Sequence, residues 1–457
     1  MTHAGNPTLI SLFAGAGGLD IGLEQAGFEC LAANEITPHA CKTLIENQRL
    51  GTLSKAEFES WFSEQVSQRC YGGLRKDELQ SLRKRIFPAA GKGALLPKAR
   101  IIREDIRSLK AADLVGSLKK PSDVTLIAGG PPCQPFSRAG KRETVETADG
   151  RLFLDFVRLV NEIHPRWFLF ENVKGLTISK TDVLRIACKS CRRSSAVTFD
   201  EREVWQEESS PKACRVCGSK NVSWQWSHDR GGSLEIILNE FESIGYHCKF
   251  SVLNAADFGA PQMRERLFIV GSRDNEKFHW PDTTHAKTIS GGDSELLLFH
   301  NEQKKPWLPM KSLWTDGHPR FGKLDSSKAV LWVKNVVRPH DEPVTWPLER
   351  PSPTIGAHQS AKLALAPNGV PEEQLKRQQW HVLGKRQKDS PPVHVEHEYL
   401  SDLELLKLQT FPPYWYLYGT RMERASQIGN AVPPILARSV GEAIANACGK
   451  VTKAKAA

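Results

Sequence analysis

TLISLFAGAGGLDIGLEQAG, residues 8–27, decides the fold of this chain. Thr8 to Phe13 is a short, almost wholly apolar run, the pattern of a buried strand. Ala-Gly-Ala-Gly-Gly follows, and the amphipathic stretch Leu19 to Ala26 then reads as a helix. Strand, glycine-rich turn and helix in that order make the first unit of a nucleotide-binding α/β sheet. Gly15, Gly17 and Gly18 let the backbone approach a ligand closely. A second short strand, Cys30 to Asn34, ends at Glu35, where such folds place an acid on ribose hydroxyls. Asp105, after the apolar pair Ile101-Ile102, is a further candidate.

A second stretch, GGPPCQPFS (residues 129–137), carries the chemistry. It follows the apolar run Val124 to Ala128, so it opens at a strand's C-terminal end, where α/β proteins keep their sites. Its prolines restrict the backbone on both sides of Cys133 and hold that thiol in a limited geometry, which marks a nucleophile. Trp167-Phe-Leu-Phe170 is another apolar strand and ends in Glu171-Asn172-Val173, a place where burial can raise a carboxyl pKa. Gln262-Met-Arg264-Glu-Arg266 precedes the strand Leu267 to Gly271, and strand alternation puts Gln262, Arg264 and Arg266 on one face. Downstream lie Arg350-Pro-Ser-Pro-Thr354-Ile and Gln427-Ile-Gly-Asn430-Ala-Val432-Pro-Pro.

The chain has 457 residues, room for one large domain with insertions or for two domains. A formal net charge of +10 favours a polyanionic partner, because lysines and arginines that neutralise phosphates release counterions. No apolar run is long enough for a membrane span, and the start Met-Thr-His-Ala-Gly-Asn-Pro lacks a signal-peptide pattern. The expected location is therefore cytoplasmic, with the ten cysteines as thiols or metal ligands rather than disulfides. Cys188-Lys-Ser-Cys191 and Cys214-Arg-Val-Cys217 are two CxxC knuckles at the spacing of a four-cysteine zinc ribbon. A structural staple is the first reading for this ribbon. A DNA-contacting accessory, using Lys189, Arg192, Arg193, Trp205, Trp224 and Trp226, is the second.

In order, the glycine turn, the strand-end acids, PCQ, ENV, QxRxR, RPSPT and GNAVPP resemble the motif series of the DNA (cytosine-5)-methyltransferases of bacterial restriction-modification type. The resemblance implies a Rossmann-like, S-adenosylmethionine-binding α/β domain with a smaller target-recognition domain and, here, an inserted zinc ribbon. Phe13 would stack on the adenine, the glycine turn would face the methionine part, Glu35 would take the ribose hydroxyls and Asp105 the adenine amino group. Asn430 and Val432 would line the same cofactor site. Ser11 stands where the family usually has an acid and receives no role. Cys133 would add to carbon 6 of a flipped cytosine, Glu171 would donate toward ring nitrogen 3, and Arg264 would hold the base. Gln134, Ser137, Asn172, Gln262, Arg266, Arg350 and Thr354 would support that site. A loop from Ser137 to about Arg151, with Arg138, Lys141 and Arg142 facing phosphates and Gly140 and Gly150 as hinges, would close over the base.

The resemblance leaves a competitor, since one branch of the family methylates tRNA with nearly the same motifs. That branch carries CFTxxY ahead of QxRxR; here the stretch reads Cys248-Lys-Phe-Ser-Val-Leu, which favours double-stranded DNA. A companion restriction endonuclease would be a separate protein, and a monomer is the family default. The expected organisation is a catalytic and cofactor domain over 1–272, with a helical insertion at 50–98 and the ribbon at 186–229. Target recognition is expected over 273–400, with the base-reading segment at 316–349, and 401–457 should return to the catalytic domain. The basic clusters Arg75-Lys76 and Arg83-Lys84-Arg85 are read as a solvated helix face in preference to a DNA contact.

Overall fold

A computed structural model describes residues 6–67, 71, 76–91, 96–116, 118, 120–132, 152–201, 211, 213–287, 304–315, 317, 329–335, 344–356, 359–365 and 396–449. The N-terminal half alternates strand and helix: β1 (Thr8–Leu12), α1 (Gly18–Gln25), β2 (Glu29–Asn34), α2 (Pro38–Leu50), α3 (Lys55–Ser67), α4 (Lys76–Ile86), β3 (Arg100–Ile102), α5 (Ala111–Val115), β4 (Leu126–Gly129), α6 (Leu152–Ile163) and β5 (Trp167–Val173). Then come β6 (Lys180–Cys188), β7 (Ser194–Ala196), β8 (Val222–Arg230), α7 (Gly232–Ser243), β9 (His247–Asn254) and β10 (Glu265–Ser272).

Seven strands form one sheet in the order β3-β2-β1-β4-β5-β10-β9. β10 runs antiparallel to both of its neighbours, while β1 to β5 pair in parallel. The apolar runs read as buried strands are buried: Leu9, Ile10, Leu126, Ile127, Phe168 and Leu169 are all fully enclosed. Helices α5, α6 and α7 cover one face, and α1 with the C-terminal helix covers the other. α6 shows why: Phe153, Phe156, Val157, Val160 and Ile163 recur at helical spacing and form its buried stripe.

The chain order reverses between β1 and β4, so the crevice beyond their C-terminal ends is the topological switch point, where open α/β sheets take ligands. The glycine turn leaves β1 there, and Gly130-Pro131-Pro132 leaves β4 there.

Short strands β11 (His285–Ala286) and β12 (Lys305–Pro306) lead to a separate four-stranded antiparallel sheet. It consists of β13 (Ala329–Asn335), β14 (Val344–Pro347), β15 (Gln359–Leu365) and β16 (Glu396–Tyr399), in the order β14-β13-β15-β16. This sheet falls within residues 273–400; most of the expected base-reading segment, 316–349, lies outside the described residues. The chain then returns through α8 (Asp402–Leu408), α9 (Arg421–Asn430) and α10 (Pro434–Ala447). α8 and α9 each start with a capping box, Ser401 with Glu404 and Thr420 with Glu423.

α10 packs along α1 so tightly that a Cβ on Gly22 would lie 2.4 Å from the Pro434 carbonyl oxygen, so only glycine fits. Among the described residues, no helix is long and apolar enough to cross a membrane.

Candidate active site

The glycine turn is held open by backbone geometry and by one acid. Phe13, at the end of β1, has φ 56°, a left-handed conformation rare for an aromatic residue and a mark of functional strain. Glu35, 7 % exposed at the end of β2, accepts from the Gly15 amide at 2.8 Å and from the Thr37 amide at 2.6 Å. Its carboxylate therefore already faces the glycine turn. Asp105 is half-buried and bound by the Arg107 guanidinium, which holds its carboxyl below the usual range. Val432 closes over the turn, its carbonyl oxygen against Gly18, while Asn430 is exposed at the end of α9. The structure thus gathers Phe13, Gly15, Gly17, Gly18, Glu35 and Val432 around one turn, while Asp105 is engaged by Arg107 and Asn430 is exposed.

Two residues packed beside the turn were not singled out in the sequence. Asp20, in the first turn of α1, is fully buried with neither carboxylate oxygen hydrogen-bonded; burial pushes its carboxyl up to about 6. Trp415 donates its indole N–H to the Ala16 carbonyl at 3.1 Å. Ser11, noted in the sequence as a departure, is the buried hydroxyl beside Asp20.

The second half of the site is built on β4, β5 and β10. Glu171 is 9 % exposed, and its Oε1 lies 2.9 Å from Nε of Arg266. Burial pushes the Glu171 carboxyl above the usual range, while the guanidiniums of Arg266 and Arg264 hold it back. The acid abuts the loop that follows β4: a Cβ on Gly130 would lie 2.5 Å from Glu171 Oε2. Asn172 Nδ2 donates to the Pro131 carbonyl at 3.2 Å, tying the end of β5 to the same loop. Cys133, Gln134, Ser137 and the closing loop lie outside the described residues. The structure does bring the two residues before Cys133, Pro131 and Pro132, to the Glu171 end of the sheet.

The arginines divide. Strand β10 begins only at Glu265, so the alternation expected from Gln262 onward does not hold. Arg266 faces Glu171. Arg264 is fully buried, near enough for its charge to act on Glu171, and donates through Nη2 to the Gly429 carbonyl at 2.6 Å and through Nη1 to that of Ile355 at 3.4 Å. It clamps the RPSPT and GNAVPP segments onto the catalytic sheet, and stranding those carbonyls would cost about 1–3 kcal/mol each.

Gln262 and Ser352 form a parallel bridge, with Met263 N–H on the Ser352 carbonyl at 2.8 Å and the Thr354 hydroxyl donating to the Met263 carbonyl at 2.7 Å. Arg350 is exposed, its carbonyl accepting from the Met310 N–H at 2.9 Å.

The ribbon is a three-stranded sheet, β7-β6-β8. Cys188, Cys191, Cys214 and Cys217 bring their sulfurs within 4.8 Å of one another, with Cys188–Cys217 and Cys191–Cys214 each at 3.7 Å. Four thiolates about 2.3 Å from a tetrahedral zinc would sit about 3.8 Å apart, so the cluster fits that ion. The ribbon lies along α7: Arg185 pairs with Glu235, and Arg215 donates to Asn239 Oδ1 at 3.0 Å. Lys189, Arg192, Arg193 and Trp226 are exposed, Trp224 is partly buried, and Trp205 is outside the described residues.

A family model described as C-5 cytosine-specific DNA methylase matches residues 8–60, 97–192 and 220–446. The stretches it passes over, 61–96 and 193–219, fall in the helical insertion and in the ribbon. The type II methyltransferase M1.HphI of Haemophilus parahaemolyticus is 25 % identical over 456 residues, covering 96 % of this chain and 86 % of that protein. M.AquIA of Picosynechococcus is 29 % identical over 308 residues, covering 65 % of this chain and 84 % of its own length. The crystal structure of the S. pombe Dnmt2 methyltransferase superposes with a TM-score of 0.50 at 15 % identity, covering 97 % of this chain and 99 % of that one, a likeness of fold.

Proposed function

The chain belongs to the C-5 cytosine-specific DNA methylase family, and from that premise we propose a covalent route with named residues for its reaction. The enzyme is a DNA (cytosine-5)-methyltransferase, and the family's substrate, DNA, decides against the tRNA reading. The observation that carries the assignment is Glu171: a buried acid with a raised pKa, paired with Arg266 and packed against the loop that leads into Cys133.

Carbon 5 of cytosine is a poor nucleophile. The Cys133 thiolate adds to carbon 6 of the flipped base, and Glu171, protonated, donates to ring nitrogen 3, so carbon 5 gains enamine character. Arg266 lies beside Glu171 and is the cation best placed to orient that acid and hold the base edge. Arg264, expected to hold the base, acts here by fixing the frame around it. S-adenosylmethionine, when bound, supplies the methyl as an electrophile on sulfonium. Phe13, the glycine turn, Glu35 and Val432 would hold it at the switch point. After methylation the carbon 5 proton passes to water, ring nitrogen 3 returns its proton to the Glu171 carboxylate, and the Cys133 sulfur is eliminated as the thiolate.

The ribbon's four cysteines would hold a structural zinc. The four-stranded sheet at 329–399 is the base for target recognition. By analogy with the type II relatives, the enzyme protects a short duplex sequence against a separate endonuclease.

The test is bisulfite sequencing of unmethylated plasmid and tRNA after incubation with the enzyme, together with covalent trapping on fluorocytosine duplexes. Protected cytosines in one DNA context, an adduct with the native chain and none with Cys133→Ala support the route. Turnover by Cys133→Ala at a comparable rate would overturn it.

A further inference from the structure

The basic run Arg83-Lys84-Arg85 invites a phosphate contact, but the structure employs it otherwise. Arg83 pairs with Glu59, and Lys84 is exposed. Arg85 turns inward: its Nη1 donates to the carbonyl of Pro413 at 2.6 Å and to that of Trp415 at 3.0 Å. Both carbonyls belong to residues 412–418, a strap between α8 and α9 outside any helix or strand. Pro413 is exposed, but Trp415, Tyr416 and Leu417 are buried, and buried backbone groups in such a segment need side-chain partners.

The insertion and its neighbour α2 supply them. The Tyr71 hydroxyl donates to the Leu417 carbonyl at 2.6 Å, and the Tyr416 hydroxyl to Gln65 Oε1 at 2.9 Å. Asn47 of α2 donates to the Tyr416 carbonyl at 2.7 Å and accepts from its N–H at 3.0 Å. Trp61 stands edge-on to the Tyr416 ring with centroids 5.0 Å apart. On the far side of the strap, the Trp415 indole N–H holds the Ala16 carbonyl, in the middle of the glycine turn. The Trp415 ring sits 3.3 Å from where a Cβ on Gly17 would be.

We infer that Arg85 and Trp415 are positioning residues for the cofactor turn: the inserted helices, acting through the strap, set the affinity for S-adenosylmethionine. The inference rests on the cofactor site proposed above. It goes beyond the family's motifs, because residues 61–96 lie outside the segments the family model matches. Glu35 braces the turn at the Gly15 amide, and Trp415 braces it one residue on, at the Ala16 carbonyl. Without the Trp415 hydrogen bond the Ala16–Gly17 peptide would keep its Gly17 N–H bond to the Ala14 carbonyl but lose its hold on the carbonyl side, loosening the turn that must meet the ligand.

Calorimetry of the full-length protein with S-adenosylmethionine, and duplex binding at two salt concentrations, test this on Arg85→Met, Arg85→Lys, Trp415→Phe and Lys84→Met. Arg85→Met and Trp415→Phe are expected to weaken cofactor binding by about tenfold, ~1.4 kcal/mol. KM for the cofactor should rise to match, with kcat at saturation within about twofold of the native value. Arg85→Lys keeps one donor group and should fall between. Lys84→Met should change nothing, and DNA affinity and its salt slope should hold in all four. Should Arg85→Met fail to fold, Arg85→Lys and Trp415→Phe carry the test.

An unchanged cofactor Kd in Arg85→Lys and Trp415→Phe overturns the inference. So does a loss of DNA affinity with a flatter salt slope, which would make the run a phosphate contact. A native protein that binds no S-adenosylmethionine would instead overturn the cofactor-site reading itself.

Discussion

Replacing Gly130 with alanine isolates the contact on which the catalytic proposal depends. The backbone of Gly130 does not occupy the left-handed region, so alanine meets no conformational strain there. The added Cβ would lie 2.5 Å from Glu171 Oε2, and the next atoms are the Glu171 carbonyl oxygen at 3.4 Å and Cδ at 3.7 Å. To regain ordinary contact the carboxylate must retreat by about 1 Å. The moving atom is the tip of a side chain, so the stability change should be under about 1 kcal/mol. Catalysis should suffer more, because displacement of a reacting group by about 1 Å costs roughly 100-fold. The retreat also strains the 2.9 Å contact between Glu171 Oε1 and Arg266.

Single-turnover methyl transfer from labelled cofactor, read beside thermal melting, measures both quantities. Gly130→Ala combined with Glu171→Gln should be no slower than Glu171→Gln alone, since both changes act through one carboxyl. A Gly130→Ala enzyme within about threefold of the native rate would refute the claim that Glu171 works from this position.

The raised pKa of Glu171 sets a pH dependence. Its folded-state carboxyl binds a proton more tightly than the unfolded chain does. The protonated, donating form is therefore present on the acid side, and both it and its contribution to stability are lost as pH rises through the folded pKa. The rate should fall along that limb; Glu171→Gln should lower kcat by about 10²–10⁴ and erase the limb, and a limb that survives the substitution would assign it to another group. The cysteine cluster predicts stoichiometric zinc by elemental analysis. Chelation should open residues 180–230 to limited proteolysis, because so small a sheet has little core of its own. Metal-free protein with a protease-resistant ribbon would rule out the staple.

Much of the fold was legible because it rests on short-range patterns. The run from Thr8 to Ala26 carries strand, turn and helix in consecutive residues, and the apolar runs Val124 to Ala128 and Trp167 to Phe170 became β4, shifted to Leu126–Gly129, and β5, extended to Val173. The CxxC pairs closed into one cluster for the same reason. Less legible were features set by where strands begin and by distant partners. Arg264 and Arg266 are two residues apart, yet one precedes β10 and the other lies within it, so their side chains serve different tasks. The strap at 412–418 has no periodicity, and most of its side-chain partners lie more than 300 residues upstream in sequence; Tyr71 to Leu417 spans 346 positions. Arg85 looked like solvated charge because a basic helix reads the same whether its side chains meet water or carbonyl oxygens.

The seating of α10 on α1 has a consequence for biosynthesis. α1 ends at Gln25, but α10, which covers it, begins only at Pro434, so α1 leaves the ribosome long before its cover is made. At about 5–20 residues per second, the apolar face of α1 waits roughly 20–80 s for its cover. Over that interval the glycine turn lacks the Val432 carbonyl that closes over it, so a nascent or C-terminally truncated chain should hold its methyl donor poorly. At the proposed cofactor site, tight binding of the methyl donor would therefore follow the seating of α10 on α1.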